Sequence, residues 1–409
     1  MPAAAIWSLA RAEEHLLSLE LFGMRFGLDR MRRLLTVLGS PQESFGSIHV
    51  VGTNGKSSTT RMTAAILEAH GVRTGTFLSP HLVSFAERIR IGDADLPPDA
   101  FAAAIQRAAA AAAKVDRTLQ AGDRVTQFEL LTAAALSELA ARGVEVAVIE
   151  AGLGGRHDAT NVLPSRVQVL TNVGLEHTRW LGPTIRDIAR EKLAVVRPGA
   201  TLVVGELEPE ADGEAVATAR RLGARLVRVP AEPFFGRTNF AVARAAAEAY
   251  RGALDPAAVE AAAARVEVPG RFQTVGREPR AILDGAHNPS GIAALAAALR
   301  AAVPERPLIA VMSVLDDKDA AGMLAALLPD CDGAVFCASP NPRALPPATL
   351  ASLAAQVGGP PSEVVVEPRA ALARGRELAG AGGAVVACGS IYLVAELLAP
   401  PGARRASAL

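Results

Sequence analysis

The sequence is poor in the features that mark secreted, membrane-bound or nucleic-acid-coating chains. It has three cysteines, Cys331, Cys337 and Cys388, with neither a CxxC pair nor metal-ligand spacing. That excludes a disulfide framework or a zinc site, and implies buried free thiols in a reducing cytoplasm. An excess of charge is lacking too, since 42 Lys and Arg balance 42 Asp and Glu. No global field draws such a chain to nucleic acid or to an anionic membrane, and neither is expected as a partner. Long apolar runs are missing. The first stretch is broken early by Arg11, Glu13 and Glu14, so it reads neither as a secretory leader nor as a span. No repeat period is visible. What remains is a cytoplasmic chain of 409 residues, for which two domains are the natural expectation.

The informative stretch is Ser47-Ile48-His49-Val50-Val51-Gly52-Thr53-Asn54-Gly55-Lys56-Ser57-Ser58. A β-branched run stops at a glycine, and a helical pattern starts after Lys56. Strand, tight glycine turn and helix N-terminus together cradle phosphate: turn N–H groups and the positive helix end face the anion, and a lysine adds a full charge. The general P-loop pattern wants a further glycine where Val50 stands, so this is a shortened form. The plain alternative is a glycine-rich turn beside a solvated lysine.

Along the chain, strands alternate with helices. An amphipathic helix is expected over 1–22 and another over 30–38, then the P-loop strand and a helix over 57–70. Thr74–Leu78 reads as a strand ending in Ser79-Pro80-His81-Leu82. Val146-Ala147-Val148-Ile149 closes on Glu150, as a buried parallel strand that delivers an acid at its carboxyl end. Val167–Thr171 delivers Asn172 and, after a turn, Glu176-His177; a helix over 184–196 carries Lys192. A second set of five short strands is expected at 281–284, 308–312, 333–337, 364–366 and 384–387. The predicted fold class is α/β: a mostly parallel P-loop-type ATPase domain over 1–265, then a smaller Rossmann-like domain over 266–409. Mg²⁺ favours oxygen ligands, and Ser58 and Glu150 are candidates from their positions alone.

Seven motifs in order resemble the folylpolyglutamate synthase and dihydrofolate synthase family of the Mur ligase superfamily. They are the P-loop, Ser79-Pro80-His81-Leu82, Glu150 to Asn161, Glu176-His177, Pro269-Gly270-Arg271-Phe272, Leu283 to Pro289 and Asp316-Asp317-Lys318-Asp319. The resemblance implies an ATP- and Mg²⁺-dependent ligase that adds L-glutamate to dihydropteroate or to folates through an acyl phosphate. Such chemistry needs positioning and charge neutralisation more than a protein nucleophile.

The resemblance also implies residue roles. Thr53, Asn54, Gly55, Lys56, Ser57 and Ser58 would hold the phosphates, and Asn239, Arg271 and Asp284 would contact the nucleotide. Ser79, Glu150 and His177 are the implied magnesium ligands; Lys192 is the implied carbamylated lysine, supporting a second ion. Lys56, Lys192 and His177 carry the catalytic roles. Arg25, Phe26, Gly27, Leu28, Thr126, Gln127, Phe128, Glu129, His157, Asp158 and Ala159 would line the pterin site, where Phe26 and Phe128 can stack. Two departures stand out: Ser57 replaces the family's usual glycine, and the 204–237 segment is short, so a trimmed β region is expected ahead of the Asn239 helix. A monomer is expected. The rivals are a cell-wall Mur ligase and a nucleotide-binding regulatory module.

Overall fold

The structure is a computed structural model that describes residues 6–20, 27–232 and 234–400. The chain divides into two compact units. One comprises residues up to Ala231 with Thr238–Val266; the other comprises Glu232–Arg237 with Glu267 onward.

The first unit is built on an eight-stranded sheet. In chain order its strands are β1 (Gly46–Val51), β2 (Thr74–Phe77), β3 (Ile89–Ile91), β4 (Ala94–Asp95), β5 (Val146–Glu150), β6 (Val167–Leu170), β7 (Thr201–Val204) and β8 (Arg225–Arg228). The spatial order is β4-β3-β2-β5-β1-β6-β7-β8, with β3 alone running antiparallel to its neighbours β2 and β4. The P-loop strand β1 is central because Ile48, Val50 and Val51 offer apolar surface to both faces. Ile48 and Val50 pack with Ala64 and Leu67 of the helix Lys56–Ala69, and with Ala243 and Ala246 of the helix Phe235–Arg251. Val51 packs on the other side with Ile188 and Leu193 of the helix Ile185–Leu193. Strands covered on both faces in this way are parallel and nearly continuously apolar.

Register decides the site. Val50 lies opposite Glu150 on one side of β1, and Val51 lies opposite Leu170 on the other. The P-loop is therefore flanked by the carboxyl ends of β5 and β6, at the edge where α/β sheets bind ligands.

The short 204–237 segment does not end the sheet. Pro209 opens a helix to Leu222 that stops at Gly223 in a left-handed conformation, and β8 then extends the parallel array. This element was not foreseen, because β8 is a short edge strand with arginine at both ends.

The second unit holds β9 (Gln273–Arg277), β10 (Arg280–Leu283), β11 (Leu308–Met312), β12 (Gly333–Phe336), β13 (Ser362–Val364) and β14 (Ala384–Cys388), ordered β13-β12-β11-β14-β10-β9. All are parallel except β9. Its core gathers Ile282, Leu295, Met312, Phe336 and Val386. The five expected strands are present, with β13 placed two residues earlier than read, and β9 is an addition. All three cysteines are free and buried; burial pushes the Cys331 and Cys337 thiols up to about 12.

Candidate active site

The turn after β1 is shaped by what its neighbours leave no room for. A Cβ on Gly52 would overlap Thr171 Oγ1, and one on Gly55 would overlap Asn239 Oδ1. Gly55 also has φ 79°, a left-handed conformation that glycine adopts freely. The helix from Lys56 then starts with no side-chain cap on its first N–H groups, which suits an anion. Lys56 Nζ donates to the Thr53 carbonyl at 3.1 Å.

The residues after β6 grip this turn. The Thr53 N–H donates to the Asn172 carbonyl (3.1 Å), and the Asn54 N–H donates to Asn172 Oδ1 (2.9 Å). Thr171 Oγ1 donates to the Asn54 carbonyl at 2.6 Å, and the Gly174 N–H donates to Thr53 Oγ1 at 3.0 Å. Sequence reasoning delivered Asn172 to this edge but gave it no role. The available signal was a polar residue at the end of the strand beside the P-loop strand.

On the opposite flank, Glu150 is 1% exposed. Its Oε1 accepts from Ser57 Oγ at 3.0 Å and its Oε2 from the Ser79 N–H at 3.1 Å. Glu150, Ser79 and the first hydroxyl after Lys56 thus converge. Ser58, one position on, is buried at 3% exposure. A carboxylate with hydroxyls beside it is an oxygen-rich donor set that fits a hard divalent cation. His177 precedes the short helix Thr178–Leu181 with φ 53°, its side chain 45% exposed and 4.0 Å from Glu176. A non-glycine residue in that region costs roughly 1–3 kcal/mol, and such outliers gather at functional sites. Among the described residues no three His, Cys, Asp or Glu form a metal cluster.

Lys192 reaches the P-loop from below, donating from Nζ to the Gly52 carbonyl at 2.7 Å. Burial first, and Lys56 second, push its amine down to about 7, against the pull of Glu176 and Asp158. Asp158 is itself buried. It accepts from the Leu153 N–H (2.8 Å), the Thr160 N–H (2.9 Å) and the Thr160 hydroxyl. Since that hydroxyl donates to Asp158, the His49 Nε2–H donates to Thr160 Oγ1 at 2.7 Å. Burial holds His49 neutral, pushed down to about 3.

The residues implied for the pterin site behave differently. Arg25 and Phe26 lie outside the described residues. Gly27 and Leu28 lead into the helix Asp29–Val37. Thr126 caps the helix Gln127–Ala141 in a capping box with Glu129. Gln127 Nε2 donates to the Leu16 carbonyl, and Glu129 accepts from Arg30 Nε at 3.1 Å, with Asp123 on the same guanidinium at 2.9 Å. The side chains of Thr126, Gln127, Glu129 and Asp158 are thus engaged within the protein, and Ala159 is buried. Phe128 covers Gly152, where a Cβ would strike its ring, and lies 5.9 Å from Phe77. His157 is exposed.

In the second unit Arg271 lies over Gly285, where a Cβ would overlap the guanidinium. Asp284, 3% exposed, accepts from the Phe272 N–H at 2.7 Å and the Ala286 N–H at 2.8 Å. Burial pushes its carboxyl up, and Arg271 opposes this. His287 Nδ1 is 2.9 Å from the Gly285 carbonyl.

A P-loop strand flanked by Glu150 and Asn172, with a Rossmann-like second unit, defines a ligase of the Mur type. Residues 270–391 match the family model "Mur ligase, glutamate ligase domain". The dihydrofolate synthase/folylpolyglutamate synthase of Mycobacterium tuberculosis is 36% identical over 81% of this chain and 78% of its own length. The Escherichia coli protein FolC, solved in complex with DHPP and ADP, superposes with a TM-score of 0.86 at 30% identity, covering 97% of this chain and 98% of its own. The Yersinia pestis bifunctional enzyme, solved with Mn, AMPPNP and L-glutamate bound, gives 0.84 at 29% identity, covering 96% and 97%. The chain belongs to the dihydrofolate synthase/folylpolyglutamate synthase family.

Proposed function

We propose that this protein is an ATP-dependent ligase of folate metabolism that joins L-glutamate to dihydropteroate, to folates or to both. The observation that carries the reading is the β5-β1-β6 edge, where Glu150 and Asn172 flank the turn Gly52–Ser57. The relatives named above bind ADP, a nucleotide analogue, DHPP and L-glutamate, which supports the same substrates here.

In this reading the acceptor carboxylate attacks the terminal phosphoryl group of ATP, ADP leaves, and glutamate's amine displaces phosphate from the acyl phosphate. Lys56 swings from the Thr53 carbonyl to the phosphates and neutralises charge that develops in transfer. The uncapped N–H groups at the start of the following helix hold the same charge. Asn239, packed on Gly55, is proposed to contact the nucleotide, and so are Arg271 and Asp284. Ser57, Ser79 and Glu150 would hold one Mg²⁺, and His177 is proposed as its further ligand. Bound Mg²⁺ supplies Lewis-acid neutralisation of phosphate oxygens.

Lys192 is the proposed site of carbamylation. An amine pushed down to about 7 is available uncharged at neutral pH, as addition to CO₂ requires, with one proton released. The resulting anion would support a second ion. At the pterin end Phe128 is the side chain proposed to stack on the heterocycle, with Gly27, Leu28 and His157 around it. We take the working enzyme as a cytoplasmic monomer without nucleic-acid or membrane partners. No described helix is long and apolar enough to cross a membrane.

The test is a reaction of the purified protein with MgATP and L-glutamate, with dihydropteroate or a reduced folate monoglutamate in separate tubes. Mass spectrometry should find one added glutamyl unit with phosphate released in step. Phosphate release without amide, or independent of both acceptors, would overturn the reading.

A further inference from the structure

Asn172 carries more than its grip on the P-loop explains. Its Oδ1 must face the Asn54 N–H, because a backbone N–H can only donate; the amide is therefore oriented by chemistry and not by choice. The other arm of the same planar group, the Nδ2 amine with its two hydrogens, is then held at the rim of the P-loop. Among the described residues nothing accepts from it. The residue is half-buried, so that arm is accessible, and it stands at the carboxyl end of β6, next to the strand that ends in the turn.

The P-loop itself is short of donors at this point. The N–H groups of both Thr53 and Asn54 are directed at Asn172, and Lys56 is left as the mobile cation. The Thr53 and Asn54 N–H groups are therefore not free to donate to a terminal phosphoryl group seated on the first turn of the helix. Asn172 compensates for the two N–H groups it occupies by presenting two of its own.

We propose that Asn172 is a catalytic residue whose Nδ2 donates to the terminal phosphoryl oxygens of the bound nucleoside triphosphate, while Oδ1 keeps the P-loop in place. This rests on the ligase reading above. A donor fixed before the substrate arrives stabilises developing charge without reorganisation, and losing one such group costs about 100-fold or more in rate.

The deciding variant is Asn172→Asp. It keeps an oxygen for the Asn54 N–H and replaces the donor arm by a second oxygen, but it also adds a negative charge. The neutral variant Asn172→Ala is therefore read beside it and must show the same selective loss. Turnover with MgATP should fall about 100-fold. In calorimetric titrations affinity for AMPPNP should fall at least about tenfold, while affinity for ADP stays within about threefold. Turnover within about threefold of wild type, or equal losses for the two nucleotides, would overturn the proposal by making Asn172 a structural clamp alone. Should Asn172→Asp not fold, Asn172→Ala is read with the same two nucleotides under the same criterion. Failure of both to fold would also overturn it. Wild-type protein that binds both nucleotides but forms no glutamyl product would sink the ligase reading and leave the nucleotide comparison readable.

Discussion

The proposed phosphate end and the proposed pterin end of the first unit are built on opposite plans. At the phosphate end the hydrogen bonds run between separate segments: Asn172 to Thr53 and Asn54, Glu150 to Ser57 and Ser79, Lys192 to Gly52. At the pterin end the polar side chains turn inward. Thr126 and Glu129 cap their own helix, Glu129 pairs with Arg30, and Asp158 holds its own loop. A motif residue is thus either a contact or a brace, and residue type alone does not say which. Charged ligands need converging polar groups, whereas a flat heterocycle needs a rigid apolar slot that polar braces can frame from behind.

Substitutions can break this contrast. The largest effect is expected for Lys56→Ala, which removes the mobile cation and should lower turnover about 1,000-fold with the melting temperature unchanged. Loss of stability instead of turnover would move Lys56 into the class of braces. Glu129→Ala should do the reverse. It leaves Arg30, whose side chain is 9% exposed, with Asp123 as its remaining ion-pair partner, and should cost about 3–5 kcal/mol in urea unfolding.

The third test concerns pH. In CO₂-free buffer, where Lys192 stays a free amine, its pKa is depressed to about 7 in the folded protein against its ordinary value of 10.5. Between those values the unfolded chain holds a proton that the folded chain does not, so stability attributable to this group rises with pH. The slope is at most about 1.4 kcal/mol per pH unit, and it should vanish in Lys192→Met. An unchanged slope in that variant would assign the effect to other groups. The smallest effect is expected for Thr126→Ala, about 1 kcal/mol of stability for a lost N-cap, with the Michaelis constant for the pterin substrate unchanged. A raised Michaelis constant at full stability would make Thr126 a contact after all.

Much of the first unit was legible because its central strands are apolar runs that end abruptly in polar residues. Val146 to Ile149 closing on Glu150, and Val167 to Leu170 leading to Thr171 and Asn172, mark both the sheet and its ligand edge. The edge strand β8 was not legible, since Arg225 and Arg228 bracket only two apolar residues. Helix starts were clearer than their ends: Thr184 and Thr126 cap helices as their spacing indicates. The sequence marked Glu150, Ser79 and Lys192, which hydrogen-bond Ser57 and the P-loop turn or each other, but it did not mark those bonds. Nothing local distinguishes Ser57 from Ser58, and only the helix phase places one against Glu150 and buries the other. His49 was read as strand, and its link to Thr160 joins segments far apart in the chain.

The grip of Thr171 and Asn172 on the P-loop also bears on how the sheet assembles. Strands β1 and β6 are parallel and joined through a long excursion; Ile48, Val50, Val167 and Val169 share one apolar cluster, while His49 lies opposite Gln168 on the other face. A slip by one residue would reverse which face each side chain occupies and would also carry Thr171 away from Gly52 and Asn172 away from Asn54. The polar bonds at the strand tips act as an alignment mark, so that a correctly paired sheet and a formed nucleotide cradle are reached in the same event.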